Sequence, residues 1–306
     1  MSDSPPTPPS LASNIAGFLR LPMLASGGLA VAATGIMYFK QNEIIYPRNI
    51  PAGSRKEILT PDSFDIPPDS FERIALHTPD GETLDSFLIK PLRTPSTPDQ
   101  RPHITIIMFH GNAGNIGHRI PIAQAFSYNV ACNVFMVEYR GYGASTGSPE
   151  EKGLKIDAQA ALNYLLERED TRNTKIVVYG QSLGGAVSSW LGVHNQEKVA
   201  AVILENTFLS LRKMVPSFIP AGKYIAWLCN QIWATETLIQ QLKLPVLFLS
   251  GMKDEIVPPQ HMAELYSLCG SDNKIFKTFP NGAHNETCTQ PGYLDQICFF
   301  LEQYVD

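Results

Sequence analysis

The stretch Lys175-Ile-Val-Val-Tyr179-Gly-Gln-Ser182-Leu-Gly-Gly185 reads as an apolar strand, a glycine-rich turn and the start of a helix. It contains the pattern G-x-S-x-G, in which the turn is so sharp that only glycine fits two residues before and after the serine. Such a turn exposes the Ser182 hydroxyl at the carboxyl end of the strand. Ser182 is therefore the candidate nucleophile; the competing interpretation is a glycine-rich turn that holds a serine by chance.

Apolar runs rich in β-branched or aromatic residues lie on both sides of this turn. Their composition is typical of strands buried on both faces of a parallel sheet. Helical stretches such as residues 153–168 and 182–194 separate them, and this alternation predicts an α/β fold with a mostly parallel central sheet flanked by helices. A hairpin is expected over residues 77–84. The runs are residues 103–109, 133–138, 175–179, 200–204 and 245–249.

A serine hydroxyl attacks at neutral pH only when a base takes its proton, and His284 is the best candidate. It follows the strand predicted over residues 274–279, in a loop opened by Pro280 and Gly282. Because carboxyl ends of parallel strands share one edge of a sheet, we expect His284 beside Ser182. The other histidines in helices or loops, His118, His194 and His261, are interpreted as surface or packing residues.

The base needs a carboxylate that fixes its tautomer and stabilises its cation. Asp254 directly follows the strand predicted at 245–249, which gives the chain order Ser–Asp–His. Glu255, beside it, and Glu205, at the end of an earlier strand, remain alternative acids.

Negative charge develops on the substrate carbonyl oxygen in the transition state, and backbone N–H groups must already be positioned to stabilise it. The N–H of Leu183, directly after Ser182, is one predicted donor. The second is the main-chain N–H of Asn112, in the loop His110-Gly-Asn-Ala-Gly-Asn115 that follows the first parallel strand. His110 itself is interpreted as a structural residue of that loop.

Taken together, these motifs make the chain resemble the α/β-hydrolase superfamily. Within it, the chain is similar to membrane-anchored serine hydrolases that include fungal bud-emergence-type and animal abhydrolase-domain proteins. The resemblance implies hydrolysis of acyl esters or thioesters without a metal or organic cofactor. Relatives include lipid lipases and protein depalmitoylases; some of the latter attach through an N-terminal cysteine cluster, whereas this chain has no cysteine before Cys132. The motifs are HGNAGN (110–115), YRGYGAS (139–145), GQSLGG (180–185), KDEIVP (253–258) and GAH (282–284).

Residues 21–39 carry no charge and are bracketed by Arg20 and Lys40. A transmembrane helix needs about 20 predominantly apolar residues, so this segment predicts a single membrane anchor. A cleaved signal peptide, with small residues at 30–32, and a buried core helix are the alternatives. The anchor predicts a single-pass protein of an endomembrane such as the endoplasmic reticulum, or of the plasma membrane. The side of the membrane on which the catalytic domain lies stays open.

Composition excludes several classes of protein. A net charge of −5 leaves no basic footprint for nucleic acid, and five cysteines without C-x-x-C spacing predict neither a disulfide framework nor a cysteine zinc site. Charged residues are 17% of the chain, which is too few for a charge-laced coiled coil or a disordered protein. No dinucleotide fingerprint or phosphate-binding loop is present.

The predicted organisation is a disordered tail (1–20), the anchor (21–39), a tether (40–69) and a catalytic α/β domain (70–306) with a short apolar cap at about 209–242. We expect a membrane-tethered serine hydrolase that binds the bilayer through its N-terminal helix and cleaves lipid-like or acylated substrates. A peptidase of the same fold and a non-catalytic membrane scaffold are the alternatives. The sequence leaves the acyl chain length and the oligomeric state open.

Overall fold

A computed structural model of the chain describes residues 28, 34–36, 38–92, 103–219 and 222–305. The predicted tail and most of the predicted anchor lie outside these residues. Within the described residues, no helix combines the length and the apolar character needed to cross a membrane. Contacts divide the chain into two units, Met1–Ile44 and Ile45–Asp306. Residues 38–44 of the first unit are helical, and the second unit carries the sheet.

The sheet has eight strands in the order β1-β2-β4-β3-β5-β6-β7-β8. All pairings from β4 through β8 are parallel, whereas β2 pairs antiparallel with both β1 and β4. The predicted α/β fold with a mostly parallel sheet is therefore confirmed, as is the hairpin at 77–84. The strands are β1 (Phe71–His77), β2 (Thr83–Ile89), β3 (Ile104–Phe109), β4 (Asn133–Val137), β5 (Lys175–Gln181), β6 (Val199–Glu205), β7 (Val246–Gly251) and β8 (Lys274–Phe279).

Helices cover both faces of the sheet, so apolar residues alternate between two cores. Along β3, Ile107 and Phe109 belong to one hydrophobic cluster, while Ile106 and Met108 belong to the other. Fully burying each such side chain stabilises the fold by about 1.5–3 kcal/mol. The α-helices of this unit are α1 (Ile120–Asn129), α2 (Glu151–Glu167), α3 (Leu183–His194), α4 (Leu211–Phe218), α5 (Thr235–Leu238), α6 (Gln260–Leu268) and α7 (Tyr293–Tyr304).

Part of the segment predicted as a tether packs into the core. Tyr46 is only 1% exposed; its hydroxyl donates to Gln231 Oε1 (3.0 Å) and accepts from Trp233 Nε1 (2.9 Å). Ile66 is equally buried. The proline-rich sequence around these residues hides this packing because it shows neither helical nor strand periodicity.

One buried arginine fastens the β1–β2 hairpin to α2. Arg140 donates to both carboxylate oxygens of Asp80, in the hairpin turn, at 2.7 and 2.9 Å. Its Nε and its backbone N–H also donate to the buried Asp157, each at 2.9 Å. The hydrogen bonds from Arg140 lower the pKa of Asp80 to about 2.

The pKa of Asp80 predicts a pH-dependent contribution to stability. Because the folded-state pKa lies below the usual 3.8, the ion pair stabilises the fold above about pH 4, and this contribution fades as the pH falls toward 2. Asp80 is partly exposed, so Asp80→Asn should lower the free energy of unfolding at pH 7 by at most about 1 kcal/mol.

Urea denaturation of Asp80→Asn and wild type at several pH values measures this difference. The difference in free energy of unfolding between Asp80→Asn and wild type should narrow below pH 4. The exposed control Asp272→Asn should not differ from wild type at any of these pH values. A gap that stays constant with pH would contradict the assignment.

Candidate active site

Ser182 lies in a strained turn between β5 and α3. Its backbone has φ +54° and ψ −117°, which a non-glycine residue adopts only when the surroundings enforce it. The surroundings are tight on both sides. A Cβ at Gly180 would lie 2.0 Å from the carbonyl oxygen of Gly184, and one at Gly184 would lie 2.0 Å from that of Phe109. Both positions therefore require glycine.

His284 and Asp254 meet at the same edge of the sheet. His284 Nδ1 lies 2.7 Å from Asp254 Oδ2, and both side chains are almost fully buried. The other carboxylate oxygen of Asp254 accepts the backbone N–H groups of Ile256 (2.9 Å) and Val257 (2.8 Å). The loop after β7 thus holds the carboxylate in place while one oxygen faces the imidazole.

The two alternative acids have other partners. Glu255 Oε2 accepts the backbone N–H of His284 at 3.2 Å rather than its ring. Glu205 accepts the hydroxyls of Tyr179 (2.5 Å) and Tyr293. Burial raises the pKa of the Glu205 carboxyl, and the two tyrosine hydroxyls oppose that rise. Of the three predicted carboxylates, only Asp254 bonds to the His284 ring.

Ser182 and His284 share this edge of the sheet without a direct hydrogen bond between their side chains in the described residues. They are linked through the neighbouring residue, since Gln181 Nε2 donates to the carbonyl oxygen of His284 at 2.9 Å. Hydrogen bonds of catalytic groups are often long in unliganded sites and tighten when substrate binds.

The loop that carries Asn112 runs alongside Ser182. A Cβ added at Gly111 would lie 3.7 Å from Ser182 Cβ, an ordinary van der Waals contact, so the loop passes within about one side-chain atom of the serine. The Asn112 carbonyl accepts the Tyr142 hydroxyl at 2.8 Å, and its side chain donates to the carbonyl of Ile45 at 3.1 Å. Among the described residues, nothing accepts a hydrogen bond from the Asn112 main-chain N–H.

The segment that follows β4 packs against this loop and fixes its position. Glu138 is fully buried; one carboxylate oxygen accepts the N–H of Ile116 (2.9 Å) and the other lies 2.9 Å from His110 Nε2. The Tyr139 hydroxyl donates to the carbonyl of His110 at 2.9 Å. The YRGYGAS and HGNAGN motifs therefore pack against each other. His110 takes part in this packing, which agrees with its interpretation as a structural residue.

Asn206 also belongs to the site, although its sequence position alone did not predict it. It is 1% exposed, has a positive φ of 45°, and uses both ends of its amide. Oδ1 accepts the N–H of Gly251 (2.8 Å), while Nδ2 donates to the carbonyl of His284 and to Thr287 Oγ1, each at 3.0 Å. It therefore joins the ends of β6 and β7 to the loop of His284. Its position two residues after the strand predicted at 200–204 was the available signal.

The remaining predicted histidines lie in structural positions. His118 Nδ1 accepts the N–H of Asn115 (3.1 Å), and His261 Nδ1 accepts that of Leu209 (3.3 Å). His194, at the end of α3, bonds through Nδ1 to the carbonyl of Trp190 (2.8 Å). In each of the three, ring nitrogen Nδ1 is hydrogen-bonded to a backbone group.

Comparison with known sequences places this chain in a family. Residues 104–221 match a family model described as the alpha/beta hydrolase fold. Over 296 residues the chain is 48% identical to protein bem46 of Schizosaccharomyces pombe, a match covering 96% of both chains. The chain belongs to the α/β-hydrolase family, in the branch that contains bem46. The resemblance inferred from the motifs is confirmed.

Further relatives cover nearly the same length. The chain is 42% identical to a protein of Saccharomyces cerevisiae named "Uncharacterized membrane protein YNL320W", with 90% of this chain and 94% of the relative covered. Among solved structures, an alpha-beta hydrolase from Vibrio vulnificus superposes with a TM-score of 0.69 at 20% identity, covering 85% of this chain and 92% of that one. An esterase from Pyrococcus furiosus gives 0.67 at 17% identity, covering 82% and 96%. These structures share the fold.

The contacts of Asn206 predict that Asn206→Asp loosens the His284 loop. The carboxylate retains the bond from Gly251 but loses the donor to His284 and repels that carbonyl. The bonds to the His284 carbonyl and to Thr287 Oγ1 are both lost, at about 1 kcal/mol each, so opening of the loop should become roughly thirtyfold more frequent.

Amide hydrogen exchange in peptides covering residues 281–288 measures this change. The matched control is Asn195→Asp, because Asn195 is also buried and hydrogen-bonded but lies at the far end of α3. Unchanged protection of the loop in Asn206→Asp would refute the proposed link.

Proposed function

We propose that this α/β hydrolase is a serine hydrolase that cleaves carboxylic ester or thioester bonds of acylated substrates. Ser182 is the nucleophile, His284 the general base and Asp254 the residue that orients it. The observation that carries the proposal is the 2.7 Å contact between His284 Nδ1 and Asp254 Oδ2. The strained backbone of Ser182, held at the same edge of the sheet, supports the assignment.

The contact with Asp254 sets the tautomer of the imidazole. A carboxylate that accepts the Nδ1–H leaves Nε2 unprotonated and able to take the proton of the Ser182 hydroxyl. The serine oxygen then bonds to the acyl carbon. As the bond to the leaving group breaks, His284 returns the proton to the departing alcohol or thiol. Water, deprotonated by the same nitrogen, hydrolyses the acyl-enzyme and restores Ser182.

The backbone amides of Leu183 and Asn112 bind the oxyanion in this mechanism. Leu183 is the first residue of α3, where N–H groups have no partner within the helix. The Asn112 amide is unbonded within the described residues, and Tyr142 and Ile45 fix the loop that carries it. Each such donor contributes about 10²–10³ in kcat in comparable sites.

A membrane tether is part of the proposal. Residues 21–39 would hold the chain in an endomembrane such as the endoplasmic reticulum, or in the plasma membrane, with the unit from Ile45 onward as the catalytic domain. The absence of charge from residues 21–39 supports this, as does the name of the yeast relative, a membrane protein. Lipid-like esters or acylated proteins at a bilayer are the corresponding substrates, with the apolar cap (residues 209–242) at the site.

Labelling with a fluorophosphonate probe tests the nucleophile. Wild type should be labelled, and Ser182→Ala should not, because the probe forms its bond to the serine oxygen. The exposed control Ser267→Ala should be labelled like wild type. Labelling that persists in a folded Ser182→Ala variant would refute the role of Ser182.

Hydrolysis of short acyl esters tests the other two residues. His284→Ala should abolish turnover, and Asp254→Asn should lower kcat by about 10⁴ because the imidazole then favours the wrong tautomer. A series of oxygen esters and thioesters of increasing chain length would define the preferred bond. A folded protein that neither reacts with the probe nor hydrolyses any ester would instead be a scaffold.

A further inference from the structure

Three large aromatic side chains of the cap face solvent. Phe218 is 64% exposed, Tyr224 70% and Trp227 69%, all within ten residues of sequence. Contiguous exposed apolar side chains of this size mark interaction surfaces in soluble domains. Together with the basic residues Arg212 and Lys223, these three define what we call the cap surface.

Hydrogen bonds hold the cap surface in a defined shape. Trp227 Nε1 donates to the carbonyl of Tyr224 (3.0 Å), and Arg212 Nε donates to that of Cys229 (3.0 Å). The inner side of the same segment is buried, with Met214 only 4% exposed and Trp233 only 1%. Apolar residues therefore occupy both sides of this segment, although only one side packs against the protein.

The charge of this segment differs from that of the rest of the chain. Residues 211–233 include three basic residues and no acidic one, whereas the whole chain has a net charge of −5. Lys213 is compensated by Glu236 (2.5 Å) and Glu264 (3.3 Å). Arg212 and Lys223 have no acidic partner in the described residues.

This composition fits the boundary between lipid head groups and acyl chains. Tryptophan and tyrosine prefer that depth, because an apolar ring and a polar edge are both accommodated there. Lysine and arginine reach anionic head groups while their stems cover apolar surface. The ammonium group of Lys223 lies 5.0 Å from the ring centre of Tyr224, so aromatic and cationic groups are interleaved. A purely apolar partner would leave those cations without a counter-charge.

The cap surface belongs to a segment that begins beside the candidate nucleophile. The chain leaves β6 through Thr207, whose hydroxyl donates to the carbonyl of Ser182 at 2.7 Å. Two residues later, the Leu209 N–H donates to His261 at the start of α6. The cap therefore rises from the same edge of the sheet as Ser182.

We propose that the cap surface docks on an anionic lipid leaflet, inserting Phe218, Tyr224 and Trp227 at the level of the head groups. Docking would bring the edge of the sheet that carries Ser182 to the interface where acyl chains begin. Delivery of substrate rests on the proposed function, whereas docking itself requires no hydrolysis.

Tryptophan quenching in the full-length chain tests the docking. The protein is mixed with vesicles of equal parts phosphatidylcholine and phosphatidylserine, with and without bromine on the upper acyl carbons. Brominated lipid should quench the wild type, and Trp227→Phe should lose about half or more of that quenching, because the other two tryptophans are outside the surface. The readout is local to Trp227, so it reports cap contact whether or not residues 21–39 insert in the bilayer.

Matched variants separate the cap surface from general hydrophobicity. Phe218→Ser with Tyr224→Ser should reduce the quenching about twofold or more, while Tyr128→Ser, at an aromatic residue of α1 that is 57% exposed, should leave it unchanged. Ser182→Ala should be quenched like wild type, so failure of catalysis would leave this result standing.

Two results would overturn the proposal. One is equal quenching of wild type and Trp227→Phe. The other is that the fluorescence lost in Trp227→Phe is unchanged by vesicles and is not quenched by acrylamide in water. Trp227 would then be covered by a second copy of the chain or by another protein.

Discussion

The contact between the backbones of Gly184 and Phe109 is the constraint on which this site depends. With no side chain at residue 184, the first turn of α3 can lie directly against the end of β3. That approach forces the turn at Ser182 into its positive φ and brings the loop after β3 alongside the serine. One close contact between the first turn of α3 and the end of β3 therefore positions both the candidate nucleophile and the candidate oxyanion loop.

Buried polar groups near this contact fix the loops that follow the strands. The sheet itself brings these loops only approximately into position. Glu138 and two tyrosines hold the 110–116 loop, while Asn206 and Gln181 hold the carbonyl of His284. In a low-dielectric interior, a buried donor or acceptor left without a partner is costly, so each of these groups strongly favours a single loop arrangement. The catalytic geometry proposed for Ser182, His284 and Asp254 is thus carried by residues that take no part in the chemistry.

Prediction from the sequence worked where the pattern is local. Five buried strands (β3 to β7) could be recognised because a strand covered on both faces is apolar throughout, and the turn at Ser182 because glycine is required at its two close approaches. The order Ser–Asp–His and the position of each residue after a strand placed all three at one edge. The packing of Tyr46 was missed, since its partners Gln231 and Trp233 lie about 185 residues away along the chain. Nothing in the proline-rich sequence near Tyr46 signals that contact.

The sequence by itself determined the α/β architecture, the family and the short list of residues around the candidate site. Strand and turn preferences arise from interactions within a few residues, so they are written in the sequence directly. Only the tertiary structure decided which carboxylate meets the His284 ring, that Glu205 instead binds two tyrosines, and that Asn206 joins three segments. Those choices depend on strand register and side-chain packing between residues far apart in sequence; Gln181 and His284, 103 residues apart, are one example.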